Sequence, residues 1–157
     1  MSYITSHLKE KQRMNFFPSL IGSVQAGLSC EFTFYDELRN LTDDYSGGSF
    51  KLLSGNDGVK VPVFDGEENW QVDYNYVEVE LPSDYVCIAA WLITLSRMSF
   101  QHEGFGIVFH QVREYFFSKS ETLTSYLESA DAELSAEQKA ALQTEKEHCI
   151  NVTRVID

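Results

Sequence analysis

The sequence predicts an α+β fold in which a small antiparallel sheet of three to four strands packs against several helices, one of them largely buried. Three patterns support this prediction. Apolar residues recur at helical spacing before residue 42, alternate with polar residues between about 48 and 81, and form an almost unbroken run between 85 and 100. Consecutive strands without intervening helices favour hairpin connections over parallel crossovers. A chain of 157 residues with 43% hydrophobic content suits a single domain over 1–157.

The chain before the sheet is expected to hold a polar lead-in and two helices. Residues 1–12 are mostly polar and lack the apolar core of a signal peptide. Pro18 follows an apolar anchor and suits the first turn of a helix that runs through Ser23. Apolar residues at positions 34, 35, 38 and 41 predict an amphipathic helix over Glu31–Leu41.

Turn residues and alternation define the strands. Phe50–Leu53 and Val59–Phe64 flank a turn at 54–58 rich in Gly, Asn and Asp, so they predict a β-hairpin. Pro62 cannot donate a ladder hydrogen bond, which places its strand at an edge or turns the proline outward. Trp70–Leu81 alternates with a change of phase near Tyr76, which indicates either two short strands or a bulge.

Helices follow the strands. Ser83 or Asp84 is expected to cap a helix over Tyr85–Phe100, which is apolar on nearly every side and should be the buried central helix. Ile107–Phe117 predicts a further helix and Thr122–Ser129 a short one. Ser135 and Gln138 have the spacing of a capping box, which begins a solvated helix through about residue 148.

Gly47 and Gly48 join the first helices to the strands. Paired glycines accept positive φ, so we interpret this segment as a helix end followed by a strand that leaves sharply. The alternative is a glycine loop that cradles a ligand, but the Gly-x-x-x-x-Gly-Lys-Ser/Thr spacing of a phosphate loop is missing.

Acidic residues dominate the charge. The formal net charge is −12, and residues 30–84 carry thirteen acids against three bases. Direct nucleic-acid binding is not expected, because phosphates require Lys and Arg to neutralise them. Two interpretations remain: the charge promotes solubility, or an acidic surface meets a basic partner by imitating the charge of DNA.

The cysteines and hydropathy indicate a cytoplasmic protein that does not enter a membrane. Cys30, Cys87 and Cys149 are odd in number, far apart and in no CxxC pair, which suits a reducing compartment. The longest apolar run, Val86–Leu95, is about half the length that spans a bilayer.

No residue pattern indicates catalysis. His102-Glu103 lacks the second histidine of a zinc motif, since glycine occupies position 106, and no Gly-x-Ser-x-Gly elbow is present. We therefore expect a protein that is not an enzyme and has no metal, cofactor or catalytic residue. An enzyme acting on a small or peptide substrate is the alternative, and it would need a pocket with convergent polar groups.

Several short motifs together resemble the ArdB/KlcA antirestriction family. Asp43–Gly48 reads Asp-Asp-Tyr-Ser-Gly-Gly and precedes an aromatic strand and a turn containing Asn, as in that family. Arg13–Pro18 followed by Gly22, and Glu80–Tyr85 before an apolar helix, match further family motifs in order and spacing. The structural residues of these motifs are Pro18, Gly22, Tyr45, Gly47 and Gly48.

The match is incomplete towards the C-terminus. Lys119-Ser120-Glu121 occupies the place of the family's His-Pro-Glu, and the family's closing Ala-Ile-Asp is approximated either at 128–131 or at 155–157. In the first alignment, about 132–157 forms a C-terminal helical extension.

The resemblance implies an antirestriction protein of a plasmid, phage or other mobile element that relieves type I restriction of incoming DNA. It brings no catalytic residues with it. The implied partner is the host type I restriction–modification complex or an accessory factor, without direct contact to nucleic acid. The alternative is an acidic interaction or regulatory module of a mobile element without antirestriction activity. The candidate partner-binding residues are Asp43, Asp44, Tyr45, Glu67, Glu68, Asp73, Glu78 and Glu80.

Overall fold

A computed structural model describes residues 15–54, 60–128 and 134–157, together with the backbone of residues 4 and 5. Most of the expected lead-in, the turn at 55–58 and the motif at 129–131 lie outside the described residues. The helices are α1 (Phe16–Ser19), α2 (Val24–Leu41), α3 (Ser83–Ser99), α4 (Glu103–Glu128) and α5 (Ala136–Ile156). The strands are β1 (Ile4–Thr5), β2 (Phe50–Ser54), β3 (Lys60–Phe64), β4 (Asn69–Tyr74) and β5 (Val77–Pro82).

The α+β class is confirmed, and the strands divide between two antiparallel sheets. One sheet has the order β1-β2-β3, and β4 pairs with β5 in the other. Strand β3 lies at the edge of its sheet, as Pro62 requires, and Pro62 is paired with Leu52 across the ladder. The proline side chain is buried rather than turned outward.

A two-residue turn joins β4 to β5. Asn75 and Tyr76 both have positive φ, 55° and 63°, which matches the tight hairpin turn whose twist fits paired strands. The change of phase near Tyr76 therefore marks two short strands and not a bulge. Tyr76 is fully exposed at the tip of the hairpin.

Helix α3 is the centre of the core, as expected. All residues from Tyr85 to Leu95 are buried, and the helix packs on α2, α4, α5 and strand β3. Trp91 has no solvent exposure, and its ring lies 5.7–5.8 Å from the rings of Phe16, Phe17 and Phe34. Such aromatic clusters combine large apolar burial with favourable edge contacts.

The expected cap of α3 was wrong. The helix begins at Ser83 after Pro82, which makes no side-chain capping bond. The Asp84 carboxylate instead accepts a hydrogen bond from the backbone N–H of Tyr85 at 2.9 Å. A negative charge in the first turn interacts favourably with the helix dipole, so Asp84 stabilises the start of α3 in place of a capping residue.

Helix α2 begins seven residues earlier than the sequence predicts. The Ser23 hydroxyl caps it by accepting from the N–H of Ala26. Gly27 lies inside the helix, where a Cβ atom would be 2.0 Å from the carbonyl oxygen of Phe17. Only glycine lets α1 approach α2 this closely. The expected helix through Ser23 was wrong, since α1 ends at Ser19.

The last two helices are longer than expected. The two helices predicted between 107 and 129 are one continuous helix, α4. The capping box at Ser135 and Gln138 is confirmed, with both reciprocal hydrogen bonds present. Helix α5 continues to Ile156 and buries Cys149, Val152 and Val155 in the core cluster.

Candidate functional site

Acidic side chains collect on the exposed side of the β4–β5 hairpin. Residues alternate across the strands, so Trp70 and Val72 are buried while Asp73, Glu78 and Glu80 are exposed. The strand register places Asp73 directly opposite Glu78, and Gln71 opposite Glu80. We call Asp44, Asp73, Glu78 and Glu80 the acidic hairpin face.

Asp44 joins this face through one long-range hydrogen bond. Helix α2 ends at Leu41, and the Thr42 hydroxyl then accepts from the backbone N–H of Asp44. This turn directs the Asp44 carboxylate to the backbone N–H of Gln71, from which it accepts at 2.7 Å. The loop after α2 is thereby fixed to β4, and exposed Asp43 lies in the same loop.

Within the described part of the chain, no Lys or Arg forms an ion pair with the acidic hairpin face. The ion pairs among the described residues lie elsewhere: they join Arg39 to Asp36, Arg97 to Glu37 and Lys119 to Glu145. Like charges directly opposite each other on paired strands destabilise the sheet. The face therefore holds a repulsion that a basic partner would relieve.

Tyr45 packs against other rings beneath this loop. Its ring lies 6.1 Å from Phe50 and 5.9 Å from Trp70, and the Arg39 guanidinium stands 5.9 Å from its centre. Burial raises the pKa of Tyr45. These contacts show that Tyr45 packs among aromatic rings, and its role in partner binding stays a prediction.

Gly47 and Gly48 both have positive φ, 101° and 137°, as the sequence predicts. A Cβ on Gly48 would come within 2.6 Å of the Phe64 ring. The pair allows β2 to start directly after the loop and to pass close to β3. In the other motif, Gly22 also has positive φ and Pro18 lies within α1.

Glu67 and Glu68 are placed apart from the acidic hairpin face. They lie between β3 and β4 and line a cleft of about 690 Å³ at the end of the hairpin opposite Tyr76. The Glu68 carboxylate accepts from the indole N–H of Trp70 at 2.9 Å. The sequence grouped these two acids with the others, and the structure separates them.

The cleft near Glu67 and Glu68 contains side chains of both charges and a buried tyrosine. Lys119 pairs with Glu145 and lies 5.9 Å from the centre of the Tyr85 ring. Burial raises the pKa of the Tyr85 hydroxyl, and burial also raises the pKa of the neighbouring Cys149 thiol. Both groups stay neutral at physiological pH, so neither is an activated nucleophile.

Across residues 15–54, 60–128 and 134–157, no group of three or more His, Cys, Asp or Glu side chains could hold a metal ion. The helices in those ranges are all too short or too polar to cross a membrane. The cysteines at 30, 87 and 149 are free and buried.

Sequence reasoning missed the position of Tyr76. The alternation of Trp70–Leu81 left open whether the change of phase near Tyr76 was a turn or a bulge, so it did not place Tyr76 at the tip of a hairpin. The available signal was Asn75, which tolerates positive φ and favours a two-residue turn. Tyr76 therefore presents its whole side chain next to Asp73 and Glu78, at the end of the acidic hairpin face.

Comparison with known proteins shows the fold. The chain superposes on a solved structure of the KlcA and ArdB proteins over 100% of both chains, with a TM-score of 0.56 and 18% sequence identity. Those proteins are described as having a novel fold and antirestriction activity against Type I DNA restriction systems in vivo but not in vitro. No protein-family model and no curated protein matches the chain. The resemblance to ArdB/KlcA is confirmed at the level of the fold, and the match includes α5.

Proposed function

We propose that this protein relieves type I restriction of incoming DNA without catalysing a reaction, by binding another protein. The observation that carries the proposal is the match of the whole chain to the KlcA and ArdB fold. The acidic hairpin face supplies a surface through which such binding could occur. A carrier such as a plasmid or phage would gain from this activity, which would be exercised in the cytoplasm.

The proposed contact is electrostatic. Glu78 and Glu80 are two residues apart on one strand, a rise of about 6.8 Å, which is twice the axial spacing of about 3.4 Å between phosphates in one DNA strand. Asp73 and Asp44 widen the charged surface across β4. We infer that a basic DNA-binding channel of the restriction complex, or an accessory factor with a similar surface, takes this face.

The cellular context supports an indirect target. KlcA and ArdB are described as active in vivo but not in vitro. Activity that requires the cell favours a partner that purified restriction enzyme does not include.

A contact made by exposed charges should weaken steeply with salt, because the screening length is about 8 Å at physiological ionic strength.

A non-enzymatic mechanism is supported by the chemistry of the 690 Å³ cleft that Glu67 and Glu68 line. Its tyrosine and neighbouring cysteine have pKa values raised by burial, and its lysine Lys119 is paired with Glu145. An enzyme would need a base or nucleophile activated near neutral pH.

Restriction of unmodified phage in cells tests the proposal. Phage DNA lacking the host modification is plated on a strain with an active type I system, with and without this protein. The efficiency of plating should rise with the protein and stay constant in a restriction-deficient strain. Modification of the surviving phage is measured as a control. No rise with folded protein present would reject antirestriction.

One observation favours the alternative of an interaction module with another target. Val24, Leu28 and Phe32 lie four residues apart along α2 and are 42–68% exposed. This spacing puts them on one face of the helix, and exposed apolar stripes of this kind often bind other proteins. If the folded protein gave no restriction relief in the plating assay, the module would be the better description, and this stripe would be its candidate contact surface.

A further inference from the structure

Two arginines converge on a second cavity. This cavity has a volume of about 350 Å³ and lies where α3, α4, the β4–β5 turn and the end of α5 meet. Arg97 reaches it from α3 and Arg113 from α4. Guanidinium groups are the usual partners of phosphate and carboxylate groups because their paired N–H donors match two oxygens. Their convergence in a chain of net charge −12 needs an explanation.

Arg97 is held in place by a buried carboxylate. Its Nε donates to Glu37 Oε1 at 2.9 Å, and the Glu37 side chain is only 4% exposed. An arginine has five N–H donors, and this contact uses only the one on Nε. The terminal nitrogens therefore remain available, and the side chain loses less freedom when an anion binds.

Two further polar side chains of the cavity can donate hydrogen bonds. The Asn75 amide and the Ser96 hydroxyl line it, and within the described ranges neither side chain has a hydrogen-bond partner. Arg113 likewise forms no ion pair with any described residue. Asp157 is the single acid among the lining residues. Arg97 is balanced by Glu37, and Asp157 offsets Arg113, so the cavity has no excess of positive charge. What it offers an anion is a set of N–H and O–H donors that no described acceptor uses.

Apolar side chains form the rest of the wall. Ile93 lies one turn before Arg97 on α3, and Phe109 lies one turn before Arg113 on α4, so each arginine is paired with an apolar neighbour on the same helix face. Ile156 closes the side formed by α5. A volume near 350 Å³ is at the small end of ligand pockets.

We propose that this cavity binds a small organic anion with one phosphate or carboxylate head and a short apolar body. The head binds between Arg97 and Arg113, with Asn75 and Ser96 as further donors. The apolar body contacts Ile93 and Phe109. The proposal does not depend on antirestriction, because it concerns a different surface and is tested on the purified protein.

Titrations followed by amide NMR spectra test the site with three probes: inorganic phosphate, phenyl phosphate and phenylacetate. We expect at least one phenyl probe to bind at least tenfold more tightly than inorganic phosphate, with shifts centred on residues 74–76, 92–97 and 109–113. Tight binding of both phenyl probes would mean that the site recognises an oxyanion of either kind. Tight binding of one probe would show whether the ligand's head group is a phosphate or a carboxylate. Binding of all three probes with equal weakness would overturn the proposal.

Substitutions assign the binding to the cavity. Arg113→Gln should weaken the phenyl probe at least tenfold, because Arg113 is exposed and its replacement leaves no buried charge. Asp157→Asn should strengthen binding several-fold, since it removes the opposing carboxylate. Arg154→Gln is the matched control: Arg154 is an exposed arginine of α5 whose guanidinium donates to the Asn151 side chain of the same helix. Equal affinity in the Arg113 and Arg154 variants would overturn the proposal, whatever the antirestriction assay shows.

Discussion

Reversing one charge on the acidic hairpin face should stabilise the protein and impair its function at the same time. Glu78 lies directly opposite Asp73 on the exposed side of β4 and β5. Glu78→Lys converts this repulsion into an attraction. Most single substitutions destabilise the fold. A variant that gains stability and loses restriction relief therefore shows a binding role for the residue and not a structural one.

The magnitude follows from the strand register. Directly opposed residues have Cβ atoms about 5 Å apart. Two unit charges at about 5 Å interact by about 0.8 kcal/mol in water, and physiological salt reduces this to about half. Changing repulsion into attraction should therefore raise the free energy of unfolding by about 1 kcal/mol. In a chain of this length, this corresponds to a rise in Tm of about 2–4 °C.

Thermal unfolding by circular dichroism and plating of unmodified phage are measured on the same variants. Glu121→Lys is the control, because Glu121 is an exposed acid on α4 and its replacement changes the net charge equally. We expect Glu78→Lys to raise Tm and lower restriction relief, and Glu121→Lys to leave relief unchanged. A lower Tm in Glu78→Lys would refute the assigned register and charge pairing. Unchanged relief would remove Glu78 from the contact surface.

Three further predictions concern the fold. Gly27→Ala should lower stability by about 2 kcal/mol, because its Cβ would overlap the Phe17 carbonyl, whereas Gly106→Ala should stabilise slightly, and chemical denaturation compares the two. Tyr76→Gly should stabilise the hairpin by about 1 kcal/mol by removing a left-handed side chain, and an equal gain from Tyr76→Ala would contradict the strain argument. Burial raises the pKa of the Cys87 thiol from 9.0 to about 12, so its contribution to stability is complete below pH 9 and is lost as the pH rises towards 12. Denaturation at pH 8 and pH 11 should show a smaller alkaline loss for Cys87→Ala than for wild type, and an equal loss would exclude this thiol as the cause.

Local signals in the sequence predicted the elements whose determinants are close together in the chain. The capping box at Ser135 and Gln138 needs only two residues three positions apart, and both bonds form. The continuous apolar run of α3 predicts burial on all sides without knowledge of its neighbours. The edge position of β3 follows from one proline at residue 62.

Tertiary contacts account for the errors in the predicted elements. Glycine has low helix propensity, so residue 27 gives no local signal for α2, but close packing on Phe17 requires a glycine there. The sequence predicts separate helices over Ile107–Phe117 and Thr122–Ser129, but no Gly or Pro lies between them and the helix continues. The division into two sheets depends on which strands pair, and alternation alone does not determine that.

The candidate sites depended on distant residues still more. Asp44 joins the acidic hairpin face through the N–H of Gln71, 27 positions away. The alternation of β5 predicted that Glu78 and Glu80 would share a face, but the separate location of Glu67 and Glu68 needed the structure. No signal in the sequence indicated that Arg97 on α3 and Arg113 on α4 line the same cavity.

The most direct test of the central claim compares two triple variants in the phage plating assay. One neutralises the hairpin (Asp73→Asn, Glu78→Gln, Glu80→Gln), and the other neutralises three exposed helical acids (Glu114→Gln, Glu121→Gln, Glu137→Gln). Both change the net charge by the same amount. If the acidic hairpin face binds the target, the first variant loses restriction relief and the second retains it, with both proteins folded. Equal relief in the two variants, whether retained or lost, would contradict the account.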